Sequence, residues 1–119
     1  MSIELRRFPR VAYRAPGELE LHSRHLDDSS ETIRIPVELS SMSCDGVGLS
    51  VADQSNLIPG SQVTLSFVVE DGEIELPARV VWAAGARAGL RLRLARADAD
   101  ARQSFANWIV PLTNKAARN

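Results

Sequence analysis

Alternation of polar and apolar residues dominates this chain as far as Leu94, and a longer period replaces it afterwards. Glu18-Leu19-Glu20-Leu21 and the stretch from Thr32 to Leu39 each put every second side chain on an apolar face, the two-residue period of a half-buried strand. Pro36 has no N–H to give to a ladder, so it fits only at an edge or a bulge. His22 to Ser30 is polar and turn-rich, a loop joining neighbouring strands. Val47 to Val51 reads as a third strand, broken by the turn Asn56-Leu57-Ile58-Pro59-Gly60. Gln62 to Val69, Glu73 to Ala83 and Ala88 to Leu94 follow, with Glu70-Asp71-Gly72 and Ala84-Gly85-Ala86 as the turns of an antiparallel meander. About six short, evenly spaced strands predict a mainly β fold, a small antiparallel β-barrel, because closure removes the exposed edges of an open sheet.

After Leu94 the period lengthens. Ala101, Phe105, Trp108, Ile109 and Leu112 fall on one helical stripe behind Asp98, a suitable N-cap, so a C-terminal α-helix is expected to close one end of the barrel. Pro111 removes a helical hydrogen bond, which predicts a kink or end near Val110 and fraying from Thr113 onward. The organisation expected is one domain over residues 1–119: a flexible basic arm at 1–10, a barrel at 11–97, and the helix and tail at 98–119.

Length agrees with a single domain, since 119 residues bury one core and not two. A net charge of −1 excludes nucleic-acid binding through bulk charge. Charge is nevertheless segregated: the first fourteen residues hold Arg6, Arg7, Arg10 and Arg14 against Glu4 alone, while acidic residues gather at Asp27-Asp28 and from Glu70 to Glu75. Cys44 is the single cysteine, so no intramolecular disulfide can form and a reducing compartment is expected. No apolar run reaches signal-peptide or membrane-span length, which makes a cytoplasmic protein without membrane insertion the expectation.

Two short stretches carry the candidate chemistry. Arg6-Arg7-Phe8-Pro9-Arg10 gathers three guanidinium groups on a segment that Pro9 keeps from regular helix, so planar forks can converge on one anion or on the O6 and N7 acceptors of guanine. Ser41-Met42-Ser43-Cys44-Asp45-Gly46 supplies hydroxyls and a glycine turn where a strand begins, and glycine at 46 and 48 permits either positive φ or close approach to the backbone.

Arg-x-x-x-Arg followed by a small polar residue, x, Ser, x, x, Gly resembles the two motifs of the PilZ family, bacterial receptors for cyclic dimeric GMP. The resemblance extends over most of the chain, from Arg6 to Pro111, and Gly85 and Gly89 after Trp82 also look like the family's later strands. It implies ligand contacts from Arg6 and Arg10, with Arg7 as a third, and from Ser41, Ser43 and Gly46. The family has Asp or Asn where this chain has Ser41. A serine hydroxyl is shorter and cannot present a planar pair of hydrogen-bonding groups, so weakened binding is expected there. The function implied is a cyclic di-GMP receptor or adaptor, with no cofactor, that passes second-messenger level to an unidentified protein effector in motility, pilus or exopolysaccharide (biofilm) control. The alternative is a degenerate adaptor of the same fold that docks its partner without nucleotide.

Other constellations are weaker. His22 and His25 with Asp27 and Asp28 suggest a metal, but Arg24 repels a cation and a solvated hairpin tip explains them. Glu70, Asp71, Glu73 and Glu75 offer carboxylates, but Glu73 and Glu75 alternate with Ile74 and Leu76 as exposed strand residues do, and Ser43 and Cys44 lack a local base, so an enzyme is not expected. Trp82 and Trp108 lie on apolar stripes and read as core. A single-strand nucleic-acid binder of the small-barrel type needs exposed aromatics over a basic groove, and aromatics are 5% of this chain.

Overall fold

A computed structural model describes residues 10–24, 30–52, 57–70 and 72–117. Its six strands are β1 (Val11–Arg24), β2 (Ser30–Met42), β3 (Gly46–Val51), β4 (Gln62–Val69), β5 (Gly72–Ala84) and β6 (Arg87–Leu92), followed by a helix, α1 (Ala99–Ala117). They close into an antiparallel barrel in the order β1-β2-β3-β6-β5-β4, sealed where Gly17 to Leu21 of β1 pairs with Val63 to Phe67 of β4. The mainly β barrel with its C-terminal helix is the fold that the alternation predicted. β4, β5 and β6 form the expected meander.

The alternating apolar residues point inward. Leu19, Leu39, Leu65, Leu76 and Val47 are completely buried, and Phe105 and Ile109 of α1 join the same core at 1% exposure each. Trp108 packs among Tyr13 of β1, Phe67 of β4 and Phe105, with its ring 4.9 Å edge-on from Tyr13, so α1 is seated on the barrel by an aromatic cluster. Pro36 obeys its constraint: pairing of β2 with β3 ends at Val37↔Val51, which leaves β2 a local edge one residue before. Among the described residues no helix is long and apolar enough to cross a membrane.

Three expectations need correction. Strands β1 and β2 run well beyond the predicted cores at 18–21 and 32–39. The helix does not end near Val110 but continues through Pro111 to Ala117. Pro111 and Asn107, whose carbonyl loses its partner, both face solvent, and Thr113 Oγ1 donates to the Ile109 carbonyl at 3.1 Å within the same turn. Trp82 is not core: it is 44% exposed. His25, Asp27 and Asp28 lie outside the described residues, and no group of potential metal ligands occurs within them.

Candidate functional site

The corner between β2 and β3 is a serine-locked turn. Ser43 N–H donates to the Gly46 carbonyl at 2.9 Å, Gly46 N–H returns a bond to Ser43 Oγ at 3.0 Å, and the Ser43 hydroxyl donates to Asp45 Oδ1 at 2.9 Å. Ser43 is 1% exposed, so its hydroxyl is consumed by the turn. Leu92 N–H donates to the Asp45 carbonyl at 2.8 Å, which ties the corner to the end of β6.

From this corner β3 runs with Val47 and Leu49 pointing into the core, and Gly46 and Gly48 facing the outer wall. Neither glycine has positive φ. What their positions require is the missing Cβ. A Cβ on Gly48 would stand 2.7 Å from Ser41 Oγ, 3.5 Å from Ser40 Oγ and 3.7 Å from Arg10 Nη1, and one on Gly46 would stand 3.2 Å from Arg10 Nη2. The Arg10 guanidinium therefore reaches across β2 and spans both glycines. No hydrogen bond or ion pair to it occurs among the described residues.

Register extends the site. Ser41 is opposite Gly48, Gly48 opposite Gly89, and Gly89 opposite Trp82, so one cross-strand row carries Ser41, two glycines and an indole on the same outer face. Trp82 Nε1, Cδ1 and Cε2 fill the space that a Cβ on Gly89 would need. The result is a floor of side-chain-free backbone, buried beneath Arg10 and the serines on one side and Trp82 on the other. Three bulges surround it: Tyr13 and Arg14 of β1 against Ser40, Ser40 itself against β3, and Val81 of β5 against β6. Each redirects side chains that strict alternation would have placed elsewhere.

Of the residues singled out from sequence, Arg10, Ser41, Ser43 and Gly46 meet at this corner, whereas Arg6 and Arg7 lie outside the described residues. Ser40 and Trp82 were missed as surface residues. The Gly48 and Gly89 signals were visible as glycines inside strand patterns, which mark a close approach. A separate groove of about 570 Å³ between α1 and the β4–β5 hairpin is lined by Glu70 and Glu73 with no arginine or lysine among its described residues, an unsuitable charge for an anion.

A small closed barrel with a terminal helix, a serine-locked glycine corner and an arginine folded over it defines the class. A family model of the PilZ domain matches residues 4–110, and the chain belongs to that family. Solved structures agree at the level of the fold. The chain is similar to the PilZ domain of CeSA from a cellulose-synthesizing bacterium (19% identity, TM-score 0.64, covering 87% of this chain and 96% of that one). It is also similar to the PilZ domain of YcgR from Escherichia coli, solved with c-di-GMP (15%, TM-score 0.63, 97% and 96%). A third similar structure is the inhibitor of motility MotI/DgrA from Bacillus subtilis (14%, TM-score 0.67), of which the chain covers 54% while 98% of this chain is matched. No sequence match was found among curated proteins.

Proposed function

We propose that the chain is a receptor for cyclic dimeric GMP, a binding domain rather than an enzyme, acting in the cytoplasm and passing ligand occupancy to a protein partner. The observation that carries this reading is the Arg10 guanidinium, lying over Gly46 and Gly48 with no carboxylate partner among the described residues. An unpaired fork over bare backbone suits an anion with a flat base, since the glycines let the ligand approach and the guanidinium can pair with phosphate or stack. Arg6 and Arg7, four and three residues before Arg10, supply the further cations of a basic arm over residues 1–10 that closes on the ligand. Ser41 takes the place of a longer polar side chain beside Gly48, and Ser43 and Gly46 hold the corner. Family membership and the c-di-GMP complex of the YcgR domain support the reading.

Calorimetric titration of the chain with cyclic dimeric GMP tests it. Binding is expected, with Arg10→Ala weakening it at least tenfold, because a hydrogen bond to a charged group contributes about 1.5–3 kcal/mol and 1.4 kcal/mol is tenfold. Ser41→Asn restores a planar amide and is expected to tighten binding about tenfold. Absence of heat up to high micromolar ligand from the folded parent chain would leave the nucleotide-independent adaptor, the reading that Ser41 favours.

A further inference from the structure

The outer face of β6 carries Arg87, Gly89 and Arg91 in alternation, all pointing away from the core that Ala88, Leu90 and Leu92 fill. Arg91 is directly opposite Gly46, on the side of β3 away from Arg10. Facing positions in antiparallel strands hold their Cβ atoms only about 4.5–5.5 Å apart, a gap that an arginine side chain spans easily. Arg91 is exposed, and among the described residues it makes no ion pair or hydrogen bond. The carboxylate on the corner, Asp45, accepts the Ser43 hydroxyl at 2.9 Å and makes no ion pair with Arg91 among the described residues. Arg79, next in the same row, leans the other way: its Nη2 stands 3.9 Å from where a Cβ on Gly60 would be.

The surrounding charge makes this placement pointed. Glu18, Glu20 and Glu38 lie on β1 and β2, and Glu73 and Glu75 on β5, with Arg34 compensating Glu18 and Glu20. The wall of β6 beside the glycine floor instead carries arginines without acidic partners among the described residues. Arg10 and Arg91 then stand on the two sides of β3, Arg10 with its guanidinium over Gly46 and Gly48 and Arg91 at the exposed position facing Gly46. Such a pair repels itself unless an anion lies between them, and a ligand with two phosphates satisfies both.

We infer that Arg91 is a further ligand-binding residue, the second jaw of an arginine clamp that closes on the anionic backbone of a nucleotide seated over Gly46 and Gly48. This rests on the receptor reading above. Its test uses the full chain and cyclic dimeric GMP by calorimetry at two salt concentrations, with the parent, Arg91→Gln, Arg91→Lys, Arg10→Gln and, as a remote control, Arg34→Gln. Arg91→Gln is expected to weaken binding about tenfold and to reduce its dependence on salt. Arg91→Lys keeps the charge without the fork and is expected to fall between, while Arg34→Gln binds as the parent does. Binding that is lost in Arg10→Gln yet unchanged in both Arg91 variants overturns the clamp and leaves the receptor reading intact. No heat from the folded parent overturns both, and circular dichroism of each variant separates loss of a contact from loss of the fold.

Discussion

Ser43 works from inside the corner, not from its surface. Its Oγ accepts the Gly46 N–H in a buried position, so Ser43→Ala leaves a donor that water does not reach, at a cost of about 1–3 kcal/mol. The expected result is a lower midpoint of urea unfolding at unchanged slope. A loss of nucleotide affinity with stability intact would instead make the hydroxyl a direct ligand contact. Gly46 and Gly48 teach a related lesson. Sequence leaves two reasons for glycine there, and ordinary φ at both positions leaves the need for space, taken up by Arg10, Ser40 and Ser41. Arg10 was singled out from sequence as a fork on a proline-restricted segment, and the structure places its guanidinium over both glycines. Its approach to β3 is not legible, since that depends on how β1 enters the barrel.

At the scale of elements, what could be read and what could not divide at the bulges. Strand identities follow from alternation, and the barrel follows from strand count and spacing, because both are local or additive signals. Trp82 fails for a definite reason. From Val80, which points inward, strict alternation puts Val81 outside and Trp82 inside, but Val81 is an extra residue opposite β6, so parity reverses and Trp82 faces out. Ser40 on β2 is hidden from sequence in the same way. The helix exceeded its expected end because Pro111 sits on the solvent face, where the ring and the orphaned carbonyl are tolerated, while Phe105, Trp108 and Ile109 hold the opposite face on the barrel. Pro111→Ala returns the missing N–H to that turn and is expected to stabilise the chain, by up to about 3 kcal/mol, the intrinsic penalty of proline in a helix interior. Urea unfolding measures it. A destabilised variant would show that the ring's packing at the lip of the helix–hairpin groove outweighs the hydrogen bond.

Across the whole molecule, β1 joins the glycine corner to the helix. Arg10 immediately precedes β1, and three residues later Tyr13, within the bulge, stands edge-on to Trp108 of α1. A ligand that captures the Arg10 guanidinium acts on the start of β1, and that segment touches the helix through the aromatic contact of Tyr13 with Trp108. The two tryptophans report the two ends of this path. Trp82 borders the glycine floor, and Trp108 lies in the aromatic cluster that seats α1 on the barrel. With Trp108→Phe, emission from Trp82 is expected to change strongly on addition of cyclic dimeric GMP, since a base on the floor alters the indole's exposure. With Trp82→Phe, a smaller change from Trp108 is expected, and it should disappear when Tyr13→Ala is added while binding by calorimetry persists. Emission from Trp108 that stays constant through saturation would disconnect the corner from α1. The surface presented to a partner would then have to be the ligand-filled corner itself rather than a repositioned helix.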